Sequence, residues 1–218
     1  MQKQFDLIVW DWDGTLADSA GMITDALLNA AAQVGLPALP AKAATSIIGL
    51  GLREAIHALY GDITADKAQA LAAQYTANYY AGEREIALFA GAVDLIKTLN
   101  KRGFKLAVAT GKGRRGLNLA LEHCALTHYF HATRTIDECF SKPHPQMLDE
   151  LMEDLVVLPE RTLMIGDTSY DLQMAKNAGV STVAVTFGAQ QADQWQHLNP
   201  IQQFNDFASL SGWLLENA

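Results

Sequence analysis

The chain has 218 residues, 50% of them hydrophobic and 18% charged, with 24 acidic against 16 basic side chains and a formal net charge of −8. That excess of negative charge argues against non-specific binding to nucleic acid or to an anionic membrane, both of which require basic patches. No apolar run approaches the ~20 residues needed to span a bilayer, no signal-peptide pattern precedes the first strand, and Cys124 and Cys139 are expected as free thiols, so the expected location is the cytoplasm.

The first element is an apolar run, Leu7 to Trp10, that ends in Asp11-Trp12-Asp13-Gly14. A continuous run of this kind reads as a strand buried on both faces, as in a parallel sheet. A helix follows from Asp18 or Ser19, either of which can cap it, and Gly35 and Pro37 stop it. Pro40 opens a short helix that breaks at Ile47-Ile48-Gly49-Leu50-Gly51-Leu52. Arg53 to Tyr60 reads as another helix, and Thr64 caps a long one that runs to about Glu83. Nothing from Ser19 to about Arg84 resembles a strand, so this stretch reads as a helical insert.

The pattern then changes to alternating strands and helices. Strands are expected at Phe104–Ala109, weakly around His131–Arg134, at Thr162–Ile165 and at Ser181–Val185. Helices are expected at Gly91–Lys101, Arg114–His123, Pro145–Leu155, Ser169–Ala178 and about Asp206–Leu215. Such alternation predicts an α/β fold with a central parallel sheet flanked by helices.

Four strand ends carry unusual chemistry: Asp11 and Asp13, Thr110, Lys142 before its helix, and Asp167 with Asp171. In a parallel sheet the C-terminal strand ends share one edge, where ligands bind. Carboxylates without His or Cys suit a hard cation, and Mg²⁺ is the expected one. A Lys, a Thr and backbone amides suit a phosphoryl group. One carboxylate of the Asp11–Asp13 pair can attack phosphorus while the other moves protons.

Four segments carry a family resemblance: Asp11-Trp12-Asp13-Gly14-Thr15-Leu16, Ala109-Thr110-Gly111-Lys112, Ser141-Lys142-Pro143-His144-Pro145 and Ile165-Gly166-Asp167-Thr168-Ser169-Tyr170-Asp171. In order and spacing they resemble the haloacid dehalogenase superfamily of aspartate-dependent phosphohydrolases, in its phosphoglycolate-phosphatase-like branch with a helical cap. The resemblance implies a Rossmann-like core at residues 1–16 and 85–218 with an inserted helical cap domain at 17–84. It implies Asp11 as the nucleophile and Asp13 as the general acid and base. Thr110 and the amide of Gly111 would bind phosphate, and Lys142 would orient Asp11. Mg²⁺ would be held by Asp11, the main-chain carbonyl of Asp13, and Asp167, with Asp171 supporting the metal shell or Lys142. Trp10 and Ala90 depart from the family's usual Phe and Pro, at packing and hinge positions.

The implied activity is a Mg²⁺-dependent phosphatase acting on a small phosphorylated metabolite, phosphoglycolate among the candidates, by a monomer or homodimer. Two alternatives compete: a sugar-phosphate phosphomutase of the β-phosphoglucomutase kind and, from another class, a phosphate-responsive regulatory protein. Arg53 is a candidate clamp for a substrate carboxylate or second phosphate; a solvent-facing helix charge is the plain alternative. Lys112, Arg114 and Arg115 sit beside Thr110 and read as a solvated helix start, with added positive field at the cleft rim as the alternative; Tyr75, Tyr79 and Tyr80 read as cap packing rather than substrate stacking.

Overall fold

The structure is a computed structural model that describes residues 4–82 and 87–218. Six parallel strands form one sheet: β1 (Leu7–Trp10), β2 (Lys105–Thr110), β3 (Ala132–Thr135), β4 (Thr162–Gly166), β5 (Ser181–Val185) and β6 (Gln202–Phe204). Their spatial order is β3-β2-β1-β4-β5-β6. The chain therefore builds outward from β1 to one edge, returns, and builds outward to the other. The reversal lies at β1 and β4, and a crevice opens at such a switch point beyond the strands' C-terminal ends.

Register puts the chemistry at one level. Trp10 pairs with Val108 on β2 and with Ile165 on β4. Asp11, Thr110 and Asp167 therefore leave the sheet side by side, and the Asp11 amide donates to the Ile165 carbonyl at 2.9 Å.

Alternation along the strands sends side chains to opposite faces, and both faces are covered. Ile8, Trp10, Val108 and Ile165 pack with α5 (Ala92–Lys101), α6 (Arg114–His123) and α10 (Phe207–Asn217). Leu7, Val9, Ala107 and Met164 pack with α7 (Gln146–Leu155) and α8 (Ser169–Asn177). Two-sided burial is why the strands read as unbroken apolar runs.

Between β1 and α5 lie α1 (Ala20–Gln33), α2 (Ala41–Ser46), α3 (Leu52–Tyr60) and α4 (Ala65–Gly82). They share a core of their own around Leu27, Ala30, Ile47, Ile56 and Leu71, separate from the sheet. The expected end of α4 near Glu83 and the expected boundary at 84 and 85 lie outside the described residues. No strand lies in the described part of this stretch, as expected.

Two expectations need correction. Gln202–Phe204 forms an edge strand through backbone pairing with β5, although its side chains carry no apolar pattern; a single turn, α9 (Ala192–Trp195), precedes it. Ser19 occupies the N-cap of α1 but makes no side-chain cap bond; its hydroxyl donates to Asp13 Oδ1 at 2.9 Å instead. Cys124 and Cys139 are free thiols, as expected. No described helix is long and apolar enough to cross a membrane.

Candidate active site

Lys142 organises the site. Its Nζ donates to Asp11 Oδ1 and to Asp171 Oδ1, both at 2.6 Å. All three side chains are buried. Burial alone would drive the ammonium to lose its proton, but the two carboxylates outweigh it and hold Lys142 charged, above the ordinary lysine range.

Asp171 sits in the first turn of α8 and belongs to a capping box: its Oδ2 accepts from the Thr168 amide at 3.1 Å and from the Thr168 hydroxyl at 2.7 Å. The cap thus fixes the carboxylate that in turn anchors Lys142. Asp167 accepts from the Thr15 hydroxyl at 2.9 Å and from the Ala189 amide at 2.7 Å. Gly14 and Gly188 flank it so closely that a Cβ at either would collide with its carboxylate.

Asp11, Asp167 and Asp171 each present an oxygen within 4.8 Å of one another, all buried. Three carboxylates and one ammonium leave two uncompensated negative charges if all are ionised. The strain shows in their acidity. Burial, followed by the charges of Asp171 and Asp167, raises Asp11 well above the carboxylate range despite Lys142. Burial, then Asp171, pushes Asp167 up to about 7 against the two hydrogen bonds it accepts. Asp11 Oδ2 is buried without a hydrogen-bond partner, which is costly unless something else satisfies it. A divalent cation fits on three counts: the donors are hard oxygens, the missing charge is two, and one oxygen lacks a partner.

The side chain of Asp13 is not part of that carboxylate set. It turns toward the helical side, where Oδ1 accepts from Ser19 and lies 3.6 Å from Lys112 Nζ. Any share of Asp13 in the cation site would therefore go through its main chain. Lys112 is 6% exposed, hydrogen-bonds the Tyr79 hydroxyl and lies over the Tyr79 ring. This corrects its reading as a solvated helix start. Its place beside Thr110 is the signal behind the alternative, positive field at the cleft rim, and the structure puts Lys112 at the cavity.

Thr110 and Gly111 border the same cavity as Asp11 and Asp13. Thr110 Oγ1 accepts from the Lys112 amide at 3.1 Å, which shapes the turn after β2. The connection between α2 and α3 lies directly over this turn: a Cβ on Gly111 would fall 2.7 Å from the Gly49 carbonyl oxygen. Two hydrogen bonds also tie the helices to the sheet domain, from the Gly51 amide to Ser141 Oγ at 2.9 Å and from Gln190 Nε2 to the Ser46 carbonyl at 3.0 Å.

Arg53 is not brought to the cavity. It is exposed on the first turn of α3, while Leu52 and Ala55 of that helix face inward. The clamp role expected of it lacks the required geometry, because neighbours at one-residue spacing on a helix point to different sides. Arg53→Ala should therefore leave kcat/KM within about twofold of wild type on phosphoglycolate and on an aryl phosphate alike, as for an ordinary surface change. A selective loss on phosphoglycolate would restore the clamp.

Fold and site together define an α/β enzyme with a buried carboxylate–lysine centre at the strand ends and a helical roof above it. Residues 8–185 match the family described as haloacid dehalogenase-like hydrolase, and the chain belongs to that family. It is 33% identical to a phosphoglycolate phosphatase of Rhodospirillum rubrum, over 95% of this chain and 90% of that one. It is 26% identical to the pyrophosphatase PpaX of Anoxybacillus flavithermus, over 94% and 96%. A hydrolase from Pseudomonas syringae shares the fold, with a TM-score of 0.89 at 23% identity over 98% of this chain and 99% of that one. The chain is an enzyme, a hydrolase of this family, and these two sequence relatives are phosphatases by name.

Proposed function

We propose that this enzyme is a divalent-cation-dependent phosphatase that releases phosphate from a small phosphorylated metabolite through an aspartyl-phosphate on Asp11. The observation that carries this reading is the pairing of Lys142 with Asp11, which leaves Asp11 Oδ2 without a partner beside two further carboxylates.

Asp11, Asp167 and the main-chain carbonyl of Asp13 would hold Mg²⁺, with Asp171 in support. When bound, the ion supplies positive charge to the phosphoryl oxygens and to the attacking carboxylate. Lys142 orients Asp11 and lowers the cost of its ionised form against burial. Thr110 and the Gly111 amide receive the phosphoryl oxygens. Asp11 attacks phosphorus, and the bond to the leaving oxygen breaks as Asp13 delivers a proton to it. Asp13, now a carboxylate, takes a proton from water as the water oxygen attacks the phosphorus. The bond to Asp11 then breaks, and both side chains return to their starting states. Lys112 at 3.6 Å offsets the charge on Asp13 in that second step.

In this reading the helical group at 17–84 is a cap, and the sheet with its flanking helices is the core. Closure over Gly111 excludes bulk water from the centre while the phosphoryl group passes to Asp11 and admits one small substrate at a time.

Metal and pH test the centre together. In metal-free protein Asp167 titrates at about 7, against ~3.9 in an unfolded chain. Its folded pKa is raised, so the folded state holds the proton more tightly. The associated stability is full below about pH 4 and is lost as pH rises through about 7. A cation that takes the proton's place removes that loss. Mg²⁺ should therefore raise Tm only slightly at pH 5 and by several degrees at pH 8, since 1 kcal/mol moves Tm by about 2–4 °C at this size. EDTA should abolish turnover of an aryl phosphate, and Mg²⁺ should restore it. Undiminished hydrolysis in EDTA would end the cation-dependent reading.

A further inference from the structure

We infer that the phosphorylated substrate carries an apolar body, aliphatic or aromatic, that fills the space between the phosphate site and the underside of the helical group. This rests on the phosphatase reading above and names the class of substrate within it.

A cavity of about 350 Å³ extends from Asp11, Thr110 and Gly111 up to the helices. Its floor is polar and suits a phosphate. Its roof is largely apolar: Ile23 and Leu27 from α1, Ile47, Ile48 and Leu50 from the connection after α2, and Leu52 at the start of α3, with Tyr75, Thr76, Tyr79 and Tyr80 of α4 completing the wall through rings and hydroxyls. Ile23, Leu27, Ile47 and Ile48 also belong to the helical group's own buried clusters. The roof is thus the underside of a packed core rather than a set of loose surface side chains. Among the described residues, the helical group gives the lining no charged side chain. The cations at the wall come from beside β2 and α6: Lys112, turned to Asp13 and Tyr79, and Arg115, over the ring of Tyr80 at 5.5 Å.

With the phosphate fixed on the floor, the rest of the substrate points at this roof. A carboxylate or a set of sugar hydroxyls set against the aliphatic side chains of the roof would leave water without a partner there, a loss of about tenfold or more in binding per unpaired group. A methylene placed there gains about fourfold. The volume is at the small end of ligand pockets, ~300–1,000 Å³, so the gain should level off once a short chain or single ring fills it.

The test is a substrate series for the whole enzyme with Mg²⁺: ethyl, butyl, hexyl and benzyl phosphate against phosphoglycolate and glucose 6-phosphate. The expected result is a rise in kcat/KM of about tenfold or more from ethyl to hexyl phosphate. Butyl and benzyl phosphate should both exceed the two polar esters. A series indifferent to chain length, or phosphoglycolate or glucose 6-phosphate ahead of hexyl phosphate, overturns the inference and leaves the phosphatase reading standing. Hydrolysis of none of these esters removes the phosphatase reading and the inference with it. In a second arm, Leu52→Lys places an ammonium at the half-buried edge of the roof. The ratio of hexyl phosphate to phosphoglycolate turnover should fall at least about tenfold in that variant. An unchanged ratio in a variant that melts like the wild type counts against the apolar roof, and if the variant does not fold, the wild-type series alone decides.

Discussion

Asp11→Asn is expected to lower phosphatase turnover by about 10⁴-fold or more, the scale seen when a nucleophile is lost from an enzyme that forms a covalent intermediate. The substitution keeps shape and keeps an oxygen for Lys142 to bond at the position of Oδ1. It removes the charge that burial most disfavours, since Asp11 sits well above the ordinary carboxylate range. Metal-free protein should therefore melt at the same temperature or higher, while the melting shift on adding Mg²⁺ shrinks. Turnover of an aryl phosphate with a melting curve on the same sample checks both halves. Activity within tenfold of wild type would show that another group attacks phosphorus.

Lys142→Met should have the largest effect on stability. The side chain is fully buried, and its ammonium is bonded to Asp11 and Asp171 at 2.6 Å each. Methionine fills similar volume but leaves Asp11, Asp167 and Asp171 together with no nearby cation. Removing one partner of a buried ion pair costs about 3–5 kcal/mol, which at this chain size corresponds to a drop in Tm of about 10 °C. Turnover should be lost as well, because Asp11 would take up a proton. Adding Asp171→Asn to this variant should recover part of the lost stability, because one of the unpaired charges has gone; the double-mutant cycle measures the coupling. If Lys142→Met melted within about 2 °C of wild type, the ammonium would not be what holds the carboxylates together.

Much of the centre is legible in the chain because it is built from strand ends. Leu7 to Trp10 announces a buried strand, and a parallel sheet sends Asp11, Thr110 and Asp167 to one edge whatever the details of the loops. Asp171 is legible as a carboxylate after the fourth strand and through the family resemblance; the capping box with Thr168 that sets its direction is seen only in the structure. Lys112 and Arg53 are each a cation near a helix start, and local sequence says nothing about which of two such cations faces a cavity. Tyr79 holds Lys112 inward, whereas Arg53 is exposed on α3. Gln202–Phe204 is a strand by backbone pairing alone, which leaves no mark in side-chain hydropathy.

By itself the sequence determined the parallel α/β architecture, the helical insert after the first strand and the set of carboxylates and lysine gathered at the strand ends. These follow from short-range periodicity and from a topology that admits few alternatives. Tertiary structure alone decided that Asp13 faces Ser19 and Lys112 rather than the other carboxylates, and that largely apolar side chains of the helical group line the cavity above Asp11 and Thr110. Both depend on how one helical layer sits on the sheet edge. That placement is set by packing between residues far apart in the chain, which no local pattern encodes.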